Sequence, residues 1–145
     1  MTALSFIDTN ILVYAFADTG DDRHATARSL VEELLNRQNA GLSVQVLREF
    51  YTVATRKVKK PLSHAQAAAT IEDLSLACRV VDDTLPQLSR ALELAGAHAL
   101  SIWDASIAAA AEAAGCEVIF TEDLGHGTMV GSVRVTNPFL EMVSG

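Results

Sequence analysis

The sequence has few of the residues that stabilise small secreted proteins. It contains only two cysteines, Cys78 and Cys116, and they are too far apart to resemble a metal-binding pair. Both lie in segments that the apolar pattern predicts as buried strands. Isolated cysteines of this kind usually act as small core residues in proteins of a reducing compartment, so we expect no disulfide.

The sequence also lacks segments for membrane insertion or export. No apolar run approaches the ~20 residues that a membrane-spanning helix needs. The first residues carry no positively charged stretch of the kind that opens a secretory signal. We therefore expect a cytoplasmic protein with no membrane segment.

Basic residues are scarce as well. Eleven lysines and arginines face eighteen aspartates and glutamates, which gives a formal net charge of -7. Proteins that bind nucleic acid through overall positive charge usually show the opposite balance. Any contact with nucleic acid should therefore be local or mediated by a metal ion.

What the chain does have is a regular alternation of apolar strand and helix patterns. Half of its 145 residues are hydrophobic, enough for one domain that buries roughly 70% of its unfolded surface. Strands are predicted at residues 4–7, 42–44, 79–81 and 117–120, and helices at 23–38, 45–56, 63–76, 84–96 and 101–114. Ser63 and Gln66 resemble a capping box at the start of the helix at 63–76, and Gly115 is the predicted stop of the last helix. This order predicts an α/β fold over residues 1–145, with a mostly parallel sheet between helical layers. A last short strand, with Val133 and Val135, is expected at a sheet edge.

Four acidic residues occur where predicted elements begin or end. Asp8 follows the first strand and Asp123 follows the strand at 117–120, while Glu49 lies one turn inside a helix and Asp104 lies near the start of another. Ligands of parallel α/β sheets bind at the carboxyl ends of the strands. The four carboxylates could therefore converge on one pocket.

Such a set of carboxylates suits the hydrolysis of a phosphodiester. Water is a poor nucleophile and the transition state concentrates negative charge, and Mg²⁺ or Mn²⁺ answers both problems. Mg²⁺ prefers hard oxygen ligands to cysteine or histidine. Carboxylates in one cleft would also repel each other, by about 4 kcal/mol for two charges 4 Å apart at an effective dielectric of 20, so either some are protonated or a cation binds.

Each acid also has a purely structural interpretation. Asp8 and Asn10 could cap the helix that follows the first strand. Glu49 could be a surface residue favoured by the helix dipole. Asp104, three residues after Ser101, could complete a capping box.

Two further segments carry charge or a titratable ring. Residues 56–60 hold four of the eleven basic residues, which could bind RNA phosphates or remain solvated at the end of a helix. His126 lies between two glycines and is interpreted as a loop residue.

Four segments together resemble a known family. Residues 6–10, 43–50, 100–105 and 121–124 are similar, in order and spacing, to the signature segments of the PIN domain, and above all to VapC-type toxins of type II toxin-antitoxin systems. The resemblance covers nearly the whole chain and implies a PIN-like three-layer α/β/α fold. It implies that Asp8, Glu49, Asp104 and Asp123 are catalytic metal ligands. The residues that would support these ligands are Thr9, Asn10, Ser43 and Thr121.

The same resemblance implies an endoribonuclease that depends on Mg²⁺ or Mn²⁺ and cuts structured RNA such as tRNA or rRNA. It also implies a homodimer that a VapB-type antitoxin holds inactive. Many relatives carry another acid two residues after the position of Asp123, where this chain has Gly125. The number of bound metal ions is therefore left open.

Two other functions are compatible with the sequence. A phosphatase of the haloacid dehalogenase type also places an aspartyl nucleophile after its first strand, as Asp8 would be, although Asn10 stands where its second aspartate is expected. A non-enzymatic module could instead use the acidic groove to bind a basic peptide.

Overall fold

The chain alternates strands and helices along most of its length. The computed structural model describes residues 3–140. In chain order the first elements are β1 (Leu4–Ile7), α1 (Thr9–Phe16), α2 (Arg23–Asn36), β2 (Ala40–Ser43), α3 (Val44–Arg56) and α4 (His64–Ala77). The remaining ones are β3 (Arg79–Val81), α5 (Leu85–His98), α6 (Ile102–Ala113), β4 (Cys116–Phe120), β5 (Met129–Val130) and β6 (Val133–Thr136).

Within the described residues the strands form one six-stranded sheet in the order β3-β2-β1-β4-β6-β5. All neighbouring pairs are parallel except β5 and β6. The carboxyl ends of β1 and β4 lie side by side, since Ile7 is in register with Phe120. Six helices in the described part of the chain flank this mixed sheet, which confirms the predicted PIN-like α/β/α fold with a mostly parallel sheet.

The central strands and the alanine-rich helix form the core. Phe6, Ile7, Leu42 and Ile119 are fully buried, as parallel strands covered on both faces require. Alanines occupy most of the buried face of α6. Because alanine has a small side chain, this helix can pack close to the sheet.

Local sequence signals determine several helix boundaries. Ser63 and Gln66 form the predicted capping box at the start of α4. Hydroxyl side chains of Thr84 and Ser101 cap α5 and α6. Gly115 follows α6 with a φ of +78°, which confirms it as the predicted helix stop.

The boundaries of β2 differ from the prediction. The strand begins two residues earlier than predicted and ends at Ser43, because the Ser43 hydroxyl accepts a hydrogen bond from Val46 N and so begins α3. Ala40 and Gly41 have low strand propensity, which hid the start of the strand. The placement of Cys78 in a strand is wrong, since it ends α4 and is only half-buried. Cys116 lies buried in β4, and both cysteines are free thiols.

The tail forms a hairpin. The prediction that the strand with Val133 and Val135 lies at the sheet edge is wrong, because β6 lies between β4 and β5. The edge strand is β5, which has only two residues and therefore leaves almost no periodic signal. No helix within residues 3–140 combines the length and the apolar character needed to cross a membrane.

Candidate active site

A cleft of about 470 Å³ opens at the carboxyl edge of the sheet, and all four predicted acids line it. This volume is typical of ligand sites, which occupy roughly 300 to 1,000 Å³. Asp8 joins β1 to α1, Asp123 follows β4, Glu49 lies on α3 and Asp104 lies in the first turn of α6. The topology thus brings residues from four distant parts of the chain to one place.

Asp8 is both a helix cap and part of the cleft wall. Its Oδ1 accepts a hydrogen bond from Thr9 N at 2.7 Å, and its Oδ2 accepts one from Thr121 Oγ1 at 2.8 Å. The side chain is 7% exposed. The capping interpretation is therefore correct for Asp8, but it does not remove the carboxylate from the cleft. Asn10 lies inside α1 and is not its cap residue.

The ionised form of Asp8 is disfavoured in the folded protein. Burial raises the pKa of Asp8 from 3.8 to about 6, and the negative charges of Asp123 and Glu49 add to the rise. The hydrogen bonds from Thr121 and Thr9 act in the opposite direction. Negative potential is thus concentrated at the position where Asp8 meets its acidic neighbours.

Asn10 and Thr121 connect Asp8 to Asp123. Asn10 Nδ2 donates to Asp123 Oδ2 at 2.8 Å and to Thr121 Oγ1 at 3.3 Å. Thr121 Oγ1 also accepts a hydrogen bond from Asp123 N at 3.1 Å. Asp8 and Asp123 are therefore held at the ends of adjacent strands by a shared network of neutral side chains.

Two buried oxygens at the cleft have no hydrogen-bond partner in the part of the chain that the structure describes. They are Asn10 Oδ1 and Thr19 Oγ1, and both residues line the cleft. A buried oxygen without a partner costs about 1 to 3 kcal/mol. Asn10 Oδ1 is thus a hard oxygen with an unused capacity to accept a bond, on a side chain whose nitrogen contacts Asp123.

Glu49 is held by two hydrogen bonds. Thr9 Oγ1 donates to its Oε2 at 3.1 Å, and Gln45 Nε2 donates to its Oε1 at 3.2 Å. The residue is half-buried. These bonds rule out the interpretation of Glu49 as a freely solvated surface residue.

Asp104 is less tightly held. Its backbone N donates to Ser101 Oγ at 3.1 Å, but within residues 3–140 its carboxylate makes no hydrogen bond that would complete a capping box.

The four acids line the same cleft but are not tightly clustered. No three Asp, Glu, His or Cys side chains in the described chain form a compact metal-ligand cluster.

Some residues from the matched segments lie outside the cleft wall. Ser43 is buried and caps the first turn of α3. Glu122 is not among the residues that line the cleft, and it accepts a hydrogen bond from Tyr14 Oη at 2.6 Å while pairing with Arg23 at 3.3 Å. His126 is an exposed loop residue whose Nδ1 accepts a hydrogen bond from Asn137 N at 3.0 Å.

The structure adds residues that the sequence did not single out as site residues. Gln45, Tyr14, Thr19 and Trp103 all line the cleft. Only Gln45 had a usable signal, because it precedes Glu49 by four residues and so shares a helix face with it.

The basic segment divides between two roles. Lys57 and Lys59 line the cleft, whereas Lys60 pairs with Asp18 at 3.9 Å. The lining of the cleft therefore combines carboxylates with two lysines.

Comparison with known proteins identifies the family. Residues 5–127 match the family model of the PIN domain. The structure resembles VapC20 of Mycobacterium tuberculosis, a sarcin-ricin loop cleaving toxin, with 28% identity, a TM-score of 0.65, and coverage of 82% of this chain and 91% of that one. Comparison with curated protein sequences gives no match.

Two more distant structures share the fold. A toxin-antitoxin complex from Klebsiella pneumoniae is 21% identical, with a TM-score of 0.68 and coverage of 92% of this chain and 97% of that one. DNA-bound VapBC from Salmonella typhimurium is 18% identical, with a TM-score of 0.65 and coverage of 94% and 99%. The family match spans most of the chain, and the protein therefore belongs to the PIN domain family.

Proposed function

We propose that this protein is a metal-dependent endoribonuclease and the toxin of a VapBC-type toxin-antitoxin pair. The observation that carries the proposal is the cleft itself, in which Asp8, Glu49, Asp104 and Asp123 face one space at the carboxyl edge of a PIN-domain sheet. The sarcin-ricin loop cleaving activity of the VapC20 toxin supports RNA as the substrate.

The donor chemistry of the cleft suits a divalent cation of the Mg²⁺ or Mn²⁺ type, and the carboxylates would draw together around it, since no three of them within residues 3–140 form a compact cluster. The donor atoms are hard oxygens, which these ions prefer. The buried Asn10 Oδ1 has no protein partner among residues 3–140, and the pKa of Asp8 is raised to about 6 by burial and by neighbouring charge. A bound cation would relieve both unfavourable features.

Asp8, Asp104 and Asp123 would hold the ion, and Glu49 would orient the attacking water or a second ion. When bound, a divalent cation lowers the pKa of water and screens charge on the phosphate. The protein itself would hold the carboxylates in position. Through the hydrogen bonds described above, Thr121 and Asn10 hold Asp8 and Asp123, and Thr9 and Gln45 hold Glu49.

Ser43 would support the site indirectly. It caps α3, and the axis of this helix determines where Glu49 projects. Neither Ser43 nor Thr121 would touch the substrate in this account. Thr9 and Asn10 line the cleft and would position the acids from within it.

The partners follow from the same proposal. The substrate would be structured RNA, such as tRNA or rRNA, in the cytoplasm. The inhibitor would be a VapB-type antitoxin, and the protein would form a homodimer. The toxin-antitoxin and VapBC complexes among the similar structures support an antitoxin as the partner, and an acidic cleft complements a basic peptide.

Cleavage of RNA by purified variants tests the proposal. Asp8→Asn and Asp104→Asn should each reduce cleavage of total tRNA and of an rRNA hairpin in Mn²⁺ by at least about 100-fold, since each removes a charged ligand. Asp73→Asn, an exposed position on α4, is the matched control and should leave the rate unchanged.

Chelation with EDTA should abolish cleavage by the unmodified protein. Cleavage at the normal rate by either cleft variant, or in EDTA, would contradict the proposal. If the protein binds a basic peptide tightly but neither Mn²⁺ nor RNA, it is instead a peptide-binding module.

A further inference from the structure

Trp103 occupies an unusual position beside the cleft. It is the only tryptophan of the chain, it is 68% exposed, and it directly precedes Asp104 in the first turn of α6. Buried tryptophans usually contribute to a core, whereas an exposed one leaves a large flat apolar surface in water. Such a surface next to a functional cleft points to a ligand.

Three hollows of the surface meet at this side chain. The first is the acidic cleft, and the second is a groove of about 470 Å³ whose lining includes Arg48, Glu49, Thr52, Lys57 and Trp103. We call the second one the cationic groove. The third hollow is bordered by Leu85 and Leu88 of α5. Trp103 lines all three, so a ligand that leaves the acidic cleft along α3 passes over its ring.

The cationic groove has two cations against the one carboxylate of Glu49, in a chain that is strongly acidic overall. Lys57 is exposed and forms no ion pair with any residue in the range 3–140. Arg48 pairs with Asp83 at 3.7 Å, but both side chains are more than half exposed. Such surface pairs are worth about 0 to 1 kcal/mol, so Arg48 can exchange this partner for a phosphate.

These features select one kind of occupant. In the cationic groove a basic peptide would be repelled by Arg48 and Lys57, and an acidic peptide would pair with these cations but has no base to stack on Trp103. A single RNA strand offers bases for the aromatic ring and phosphates for the cations, which is how proteins commonly bind single-stranded nucleic acid.

We propose that Trp103 is the stacking platform for an unpaired base next to the cleaved phosphodiester, while Lys57 and Arg48 bind the phosphates of the same strand. This inference rests on the proposed function and adds a substrate class to it. The preferred RNA has an unstacked nucleotide beside the cleavage point, as in a loop or bulge. A fully paired duplex cannot offer that base.

The single tryptophan makes stacking directly measurable. A single-stranded oligoadenylate hexamer in Ca²⁺ should quench the fluorescence of Trp103, whereas an abasic hexamer with the same phosphates should not. Electrophoresis of the recovered RNA checks that the strand is intact.

Variants test the same contact by the anisotropy of labelled RNA. Trp103→Ala should raise the Kd for the hexamer about tenfold. Trp103→Phe keeps an aromatic face and should stay within a few fold of the unmodified protein. Leu76→Ala is the control, because Leu76 is 89% exposed and lines none of the three hollows.

Lys57→Gln should weaken binding for every sequence and reduce the slope of log K against log salt by about one. Arg37→Gln, an exposed cation at the end of α2, should change neither quantity.

The inference is overturned if the abasic strand quenches equally or if Trp103→Ala binds RNA normally. It is also overturned if Trp103→Ala leaves RNA binding intact but abolishes self-association in light scattering, since the surface is then a protein interface. Base-dependent quenching without any cleavage would support RNA binding and refute the nuclease proposal. Cleavage that is unaffected by Trp103→Ala would support the nuclease proposal and refute the stacking role of Trp103.

Discussion

Asp8→Asn should make the ion-free protein more stable at neutral pH while it removes activity. The reason is the cost of holding an ionised carboxylate in a buried position. Burial and the nearby acids raise the pKa of Asp8 from 3.8 to about 6. Such a rise corresponds to a cost of about 3 kcal/mol at pH values above both pKa values.

The asparagine side chain recovers most of this free energy. Its Oδ1 can still accept the hydrogen bond from Thr9 N, but its amide nitrogen would face Thr121 Oγ1. That oxygen already accepts bonds from Asn10 and from Asp123 N. The lost bond costs about 1 kcal/mol, which leaves a net gain of about 2 kcal/mol for the variant.

The sign of the effect depends on pH. The folded state prefers the protonated carboxyl, so the cost is absent below about pH 4 and complete above about pH 6. The unmodified protein should therefore lose stability as the pH rises through this window, and Asp8→Asn should not. Near pH 4 the variant should be slightly the less stable of the two.

Thermal unfolding in EDTA at pH 4 and pH 8, followed by circular dichroism, measures this difference. A gain of about 2 kcal/mol at pH 8 corresponds to a rise in Tm of about 6 °C for a chain of this size. Asp73→Asn controls for the loss of one negative charge. A Tm for Asp8→Asn below that of the unmodified protein at pH 8 would show that the ionised carboxylate of Asp8 does not destabilise the fold.

Three further predictions concern packing and the hydrogen-bond network. Gly41→Ala should lower the free energy of unfolding by about 1 to 3 kcal/mol in urea titrations, because its Cβ would lie 2.6 Å from Cys116 Sγ; adding Cys116→Ala should restore most of the loss, and no restoration would contradict this cause. Glu112→Gln should destabilise the protein by about 1 to 2 kcal/mol at pH 7, because this carboxylate accepts bonds from a guanidinium of α5 and from the loop before β6. Since that guanidinium lowers the pKa of Glu112 below its usual 4.5, the difference should persist at neutral pH and vanish as the pH falls through the folded pKa; a difference that grows in acid would be inconsistent with it. Thr121→Val removes the hydroxyl that favours ionised Asp8, so the acidic limb of the pH-rate profile for RNA cleavage should move to higher pH, and an unmoved limb would count against the role of this bond.

The fold could be predicted from the sequence because the strand and helix periods and the signals at the helix ends indicate the same arrangement. Alternating strand and helix periods predicted a mostly parallel sheet, and Ser63 and Gly115 marked helix ends at the correct positions. Asp8 and Asp123 could be placed together since both follow strands, and parallel strands end at a common edge.

The periodicity of the sequence could not predict side-chain contacts between distant parts of the chain. Asn10 and Thr121 are 111 positions apart, and nothing in either segment shows that they share a hydrogen bond. The exposure of Trp103 was equally hidden, because an apolar residue at the start of a helix is more often buried. The hairpin of β5 was missed since two residues are too few to show alternation.

The central claim is that the four acids act together as one divalent-metal site. Calorimetric titration of the ion-free protein with Mn²⁺ tests it most directly, with single Asn or Gln variants of Asp8, Glu49, Asp104 and Asp123, and Asp73→Asn as the control. Each cleft variant should weaken Mn²⁺ binding by about tenfold or more, while the control should bind as the unmodified protein does. Equal Mn²⁺ affinity in all variants, or no Mn²⁺ binding by the unmodified protein, would contradict this claim.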